Sequence, residues 1–213
     1  MEIRQRRRTS NGRATVVQIP MEVRQLSKRQ WRFDIVQIQI PKFWLSEFHF
    51  TNQDNNTVSL LRGKGDGTFQ SQQMFTVNNR PYAVVSDDFN NDRNFDVAVT
   101  NQWDNTISIL LGKGDGTFEP QQIYLVGNDP ISLISGDFND DAKIDLMVAN
   151  RGDNTVGLLF GNGNGTFMHQ ILYTTGIDPT SFVSGDFNGD SRLDVGVVNA
   201  LGNDVAILLN HCN

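Results

Sequence analysis

DFNNDRNFD, residues 88–96, returns as DFNDDAKID at residues 137–145 and as DFNGDSRLD at residues 186–194, at a constant spacing of 49 residues. An enzyme needs one asymmetric constellation of groups, whereas a cluster of oxygen donors copied at a fixed period marks a duplicated structural unit with a small ion site of its own. The match extends outward from the acidic stretch. TNQDNNTVSLLRGKGDGTF from Thr51, TNQWDNTISILLGKGDGTF from Thr100 and ANRGDNTVGLLFGNGNGTF from Ala149 align without a gap, and a fourth copy, VNALGNDVAILLN from Val198, stops short.

Within a unit, PYAVVSDDF, FDVAVTN, NTISILLGK and TFEPQQIYLV are short runs rich in Val, Ile, Leu, Phe and Tyr, separated by Asp/Asn/Gly clusters, and none keeps a helical period. This gives four strands per unit. GKGDGTF at Gly63 and Gly112, varied as GNGNGTF at Gly161, places Gly and Asp or Asn where a tight hairpin needs positive φ. Four strands in about 40 to 50 residues is the size of a propeller blade, which buries its faces only against neighbouring blades. The fold class is therefore all-β, a partial β-propeller-type array of about three to four blades whose ring is open unless its ends meet. The strands at Val97, Leu146 and Val195 are apolar without alternation, as in a strand covered on both faces, and are expected nearest the propeller axis.

The acidic loop, the Gly-x-x-Pro turn before it (Gly127 to Pro130, Gly176 to Pro179) and the LLGKGDGTF hairpin together resemble FG-GAP repeats, also described as VCBS repeats, of the kind that build integrin α-subunit propellers. The resemblance covers residues 51–213. It implies a calcium-binding β-propeller used in adhesion or ligand recognition, extracellular or secreted, although the chain as given shows no signal peptide. The domain expectation is a basic, non-repeat segment over residues 1–50, either disordered or a degenerate blade, followed by a partial blade at 51–80, whole blades at 81–127 and 130–176, and a partial blade at 179–213.

Calcium takes six to eight oxygen ligands, mixing carboxylates, carbonyls and water. Alternate residues of each loop supply them. In the first loop these are the side chains of Asp88, Asn90, Asp92 and Asp96 with the main-chain carbonyl of Asn94; in the second, Asp137, Asn139, Asp141 and Asp145 with the carbonyl of Lys143; in the third, Asp186, Asn188, Asp190 and Asp194 with the carbonyl of Arg192. Free variation at the seventh position fits a backbone ligand. An EF-hand would need a bidentate Glu at its twelfth position, where this chain has Val99, Val148 and Val197. Zinc is disfavoured because no Cys or His joins the loops. The competing reading is that Asp and Asn only form Asx turns here, against which stands the repulsion of three carboxylates in nine residues. Where the family commonly has Gly or Asn at the sixth position, this chain has Arg93, Ala142 and Ser191, so a positive φ there would be strained and the affinity weak, on the order of 10⁻⁴ to 10⁻³ M.

The net charge of −6 hides two regions: residues 1–32 hold nine Lys/Arg against two Asp/Glu, and the remainder holds nine against 22. The acidic repeats argue against nucleic acid as a partner, and no apolar stretch is long enough to span a membrane. Cys212 is the only cysteine, so no internal disulfide forms. GKGDGT lacks the Walker spacing, and no nucleophile elbow is present.

Trp103 breaks the repeat, standing where the other units have Asp54 and Gly152. It is a candidate ligand-binding residue for a protein or carbohydrate, or else a cap on the blade's apolar edge. Counting back one period places a further acidic loop at residues 39–47, where the chain reads QIPKFWLSE and only Glu47 could act as a ligand. The functional expectation is a non-catalytic, calcium-binding module for extracellular adhesion or recognition. The alternative is the non-catalytic propeller portion of a secreted hydrolase or lyase. In either case the unpaired strands leave an edge open for pairing with another propeller fragment.

Overall fold

The computed structural model describes residues 47–211. The strand-like stretch upstream of Glu47, the basic head and Cys212 lie outside the described residues. What is described is almost entirely β, fourteen strands in four antiparallel sheets, with one short 3₁₀ turn at Arg151–Asp153.

Two sheets are four-stranded. The first runs β4 (Pro81–Asp87), β5 (Asp96–Asn101), β6 (Thr106–Leu110) and β7 (Gln122–Leu125) in spatial order. The second repeats it as β8 (Pro130–Gly136), β9 (Asp145–Asn150), β10 (Thr155–Leu159) and β11 (Ile171–Thr174). Before them stands the three-stranded sheet β1 (Glu47–Asn52), β2 (Thr57–Arg62) and β3 (Gln73–Thr76), and after them β12 (Pro179–Gly185), β13 (Asp194–Asn199) and β14 (Asp204–Leu208). Pro81, Pro130 and Pro179 each open the first strand of a sheet, a position where a missing N–H breaks no ladder bond. The hairpin glycines Gly65, Gly67, Gly114, Gly116, Gly163 and Gly165 hold φ between 74° and 91°, as their sequence pattern requires.

No sheet covers itself. Val58, Val77, Val97, Val99 and Leu110 fill the space between the first and second sheets. Phe89, Ile107 and Ile109 of the second meet Leu146, Val148 and Leu159 of the third, and Met147, Val156 and Leu158 of the third meet Val195 and Val197 of the fourth. β5 and β9 are buried at every position because a neighbouring sheet lies on each face.

Two expectations need correction. β5, β9 and β13 are not the strands nearest the axis. They are second in their sheets, and the edge at which successive sheets converge is formed by β4, β8 and β12, with β4 against β8 and β8 against β12. Unbroken hydrophobicity reports burial between blades, and the convergent strands are only partly buried. The first strand also begins ahead of Thr51: Glu47 opens β1 at the place that Asp96 occupies in β5. Its carboxylate lies 2.8 Å from Arg62 Nε, as an ion pair without hydrogen-bond alignment, and so is engaged by a cation of its own sheet.

The second and third hairpins start with a glycine pressed against the preceding loop. A Cβ on Gly161 would collide with the main-chain oxygen of Ile144, and one on Gly112 with that of Phe95. Gly161→Ala is therefore expected to destabilise the chain by about 2–3 kcal/mol, because the clash is with backbone and cannot be relieved by a rotamer change. Urea unfolding followed by circular dichroism measures it, and a loss below about 0.5 kcal/mol would show that the hairpin moves aside.

Candidate metal centres

The three acidic loops share one backbone path. At the sixth position Arg93, Ala142 and Ser191 have φ of 68°, 60° and 68°, and at the fourth Asn91, Asp140 and Gly189 have 61°, 60° and 84°. Left-handed backbone at two places in nine residues curls the chain so that side-chain oxygens point inward.

In the first loop Asp88 accepts from the N–H groups of Asp92 (3.0 Å) and Arg93 (2.7 Å), Asn90 from Asp92 N–H (3.1 Å), and Asp92 from Asn94 N–H (2.7 Å). The second repeats this with Asp137 on Asp141 and Ala142, Asn139 on Asp141, and Asp141 on Lys143. The third does so with Asp186 on Asp190 and Ser191, Asn188 on Asp190, and Asp190 on Arg192. The Ser191 N–H bond leads the causes that hold the Asp186 carboxyl below the usual range.

The ninth-position carboxylates do something the sequence did not announce. Asp96 is fully buried and accepts from Phe89 N–H and Gly112 N–H, both at 2.8 Å. Asp145 takes Phe138 and Gly161 in the same way, and Asp194 takes Phe187 and Asn210. Asp96 and Asp145 tie their loops to the hairpin that follows, and Asp194 ties its loop to the main chain after β14. Burial, opposed by these amide bonds and reinforced by the charges of Asp92 and Asp88, pushes Asp96 up to about 6, and Asp145 rises to about 6 in the same way beside Asp141 and Asp137. The only signal in sequence was an Asp immediately before each apolar strand.

Among the described residues no three His, Cys, Asp or Glu side chains converge as a metal cluster by themselves. A hard cation would draw instead on a mixed set. Each carboxylate oxygen that accepts one amide keeps a second lone pair, and mutual repulsion at Asp96 and Asp145 shows that the carboxylates of a loop feel one another. Side chains of Asp88, Asn90, Asp92 and Asp96, with the Asn94 carbonyl, thus have the chemistry of an oxygen-donor site, and the other two loops offer the equivalent groups. They are not equal. Lys143 Nζ donates to Asp141 Oδ2 at 3.0 Å and holds that carboxyl below the usual range, so the second loop carries its own counter-charge. Arg192 instead reaches across to Asp140 of the neighbouring sheet at 3.3 Å.

Trp103 lies at the opposite end of the strands from these loops, in the turn after β5. It is 70% exposed, with the Arg80 guanidinium 4.9 Å from its ring centre. Around it runs a polar ladder between sheets: Arg80 N–H donates to Asn56, Asp129 N–H to Asn105, and Asp178 N–H to Asn154. All three Asn residues are left-handed.

Stacked antiparallel sheets that carry oxygen-rich loops between their first two strands define a β-propeller-like repeat module. The chain belongs to the FG-GAP repeat family: the FG-GAP-like repeat pattern matches it twice, at residues 88–148 and 137–197, together more than half of the chain. No curated protein matches it. Among solved structures it is similar to the N-terminal part of BBS1 in complex with ARL6 (13% identity, TM-score 0.52, covering 77% of this chain and 52% of that one). It also aligns with the V. cholerae biofilm matrix protein Bap1 (16%, TM-score 0.49, 78% and 25%) and with a functionally unknown protein of Desulfotomaculum acetoxidans (15%, TM-score 0.49, 76% and 54%). The chain spans between a quarter and about half of these proteins.

Two outcomes follow. The folded state favours protonated Asp96 and Asp145, so their contribution to stability is complete below about pH 4 and is lost as pH rises through about 6. In chelator, the urea midpoint is expected to be higher at about pH 5 than at about pH 7.5; a midpoint that rises with pH over this window would refute the assignment. Ala142→Gly, which removes a side chain from left-handed backbone, should stabilise the protein by about 1 kcal/mol in the same assay. A loss of stability would mean that the turn is not strained.

Proposed function

We propose that the chain is a non-catalytic, calcium-stabilised β-propeller module that recognises a protein or carbohydrate ligand outside the cell. The observation that carries this reading is the left-handed sixth position, kept in all three loops although none has Gly or Asn there. Strain retained under three different side chains points to a constraint on the loop's oxygens beyond that of an ordinary turn. Calcium would supply the charge that the three carboxylates of each loop lack, held by Asp88, Asn90, Asp92, Asp96 and the Asn94 carbonyl, by Asp137, Asn139, Asp141, Asp145 and the Lys143 carbonyl, and by Asp186, Asn188, Asp190, Asp194 and the Arg192 carbonyl.

The ion has a structural part in this reading. Trp103, the candidate ligand contact, stands at the other end of the sheet, so calcium fixes the blade while the exposed indole and Arg80 supply the contact. The non-catalytic assignment is supported by the distribution of the acidic groups, which recur in equivalent copies and do not gather on one centre.

Calorimetric titration should give calcium heats with dissociation constants on the order of 10⁻⁴ to 10⁻³ M, the second loop weakest because Lys143 already faces Asp141. No heat at millimolar calcium would remove the metal assignment. An array of glycans and extracellular-matrix proteins, probed with wild type and Trp103→Ala, tests recognition: wild-type hits lost in a variant whose stability stays within about 0.5 kcal/mol support it, whereas hits unchanged by the substitution place the contact elsewhere.

A further inference from the structure

The repeat assigns a destination to every residue of a blade face, because residues 49 positions apart occupy equivalent places. Phe89 and Phe138, the phenylalanines of the first two acidic loops, pack beneath the next sheet and are 1% and 6% exposed; their third copy, Phe187, is 47% exposed. Val205 is 55% exposed where its equivalents Ile107 and Val156 are fully buried. Ile207 is 50% exposed, against 0% for Ile109 and 6% for Leu158. Val183 and Leu209 continue the same apolar face. This is the face that the second sheet turns to the third, and the third to the fourth.

The complementary face is also in the chain. Phe48, Phe50, Leu61 and Phe69 of the first sheet are the counterparts of Val97, Val99, Leu110 and Phe118, the residues by which the second sheet receives the first. Phe69 is 44% exposed, while its third-sheet equivalent, Phe167, is 7% exposed. The polar latch is duplicated as well. Asn203 has the left-handed conformation of Asn56, Asn105 and Asn154 (φ 52°), and its side chain has no hydrogen-bond partner among the described residues. The three apolar clusters join the first sheet to the second, the second to the third and the third to the fourth; none joins the fourth to the first.

We propose that the exposed face of the fourth sheet docks on the first sheet of a second copy of this chain, reproducing between molecules the contact that already occurs three times within one. The occupant follows from the repeat: what covers this face at each internal interface is the receiving face of a blade, and the first sheet presents such a face. The contact is sheet face on sheet face, in contrast to the edge pairing suggested by the sequence, and it is heterologous, because the two surfaces differ. Two copies bring together eight sheets, at the upper end of the range of roughly four to eight blades found in closed propellers.

Analytical ultracentrifugation of the full chain, with and without calcium, tests this. Wild type is expected above the mass of one chain. Val205→Glu with Ile207→Glu, and separately Phe69→Glu, should each sediment as a single chain with unchanged β-sheet circular dichroism. An equimolar mixture of the two variants should recover two-chain particles, since one retains an intact first sheet and the other an intact fourth. Recovery is the decisive result, because a variant that failed to fold could not restore its partner. Overturning results are wild type sedimenting as one chain, which would mean that another part of the same molecule covers the face, and Phe69→Glu alone still sedimenting as two chains, which would mean that fourth sheets pair with each other.

Discussion

Asp96 carries more of this architecture than its single charge suggests. It sits fully buried at the start of β5 and joins two main-chain amides, Phe89 in the loop behind and Gly112 in the hairpin ahead. An ionised carboxylate in such a place is tolerable only because both oxygens receive charge-assisted bonds. Those bonds do not fully offset the burial, as the pKa of about 6 shows. The loop thereby becomes a place where negative charge is held against electrostatic cost, which a proton relieves and which a divalent cation, if bound, would relieve by different means. Asp145 reproduces both the geometry and the shift, so this is a property of the repeat.

The clamp also organises stacking. By drawing in the N–H of Phe89 it fixes where that residue's other groups point: the carbonyl accepts from Gly165 N–H in the next sheet, and the ring meets Phe167 edge-on at 5.5 Å between centres. Folding of the loop and docking of the blade are thus coupled through one residue. A blade that has made its loop has placed its phenylalanine for the neighbour, whether or not that neighbour is present. Phe187, held by Asp194 yet exposed, is in that state.

Much of this could be read from residues alone, because repetition multiplies weak signals. Strand number per unit and hairpin glycines follow from patterns that recur, whereas the left-handed sixth position was signalled only by the family's usual Gly or Asn, since Arg93, Ala142 and Ser191 carry no mark of it. Strand placement did not follow. Hydrophobicity distinguishes a strand covered on two faces from one covered on one, but it carries no information about distance from an axis, so β5 and β4 were exchanged. The ninth-position Asp was legible as an oxygen donor and not as a clamp, since its partners are backbone amides, which every residue but proline possesses. Lys143 was legible only as a main-chain carbonyl; its ammonium finds Asp141 because alternate residues of a curled loop come together in space.

The two ends of each blade are under different constraints, and this explains where variation collects. At the acidic end, loop, strand start and hairpin are joined by buried bonds to a carboxylate, so a change in one disturbs all three. At the opposite end, sheets are joined by Asn side chains that take a neighbour's backbone N–H, as in Asn105 to Asp129 and Asn154 to Asp178. The same Asn56 and Asn105 donate to the side chains of Asn79 and Asn128, so the latch reads both main chain and an Asn on the partner, while the turn tips take no part in these side-chain bonds. The tip one residue beyond the buried strand and its neighbour is Asp54, Trp103, Gly152 and Leu201 in successive units, all but the glycine large or charged and all exposed. A tip whose side chain the latch does not use can acquire binding residues without loss of the fold, and the indole at Trp103 occupies such a position.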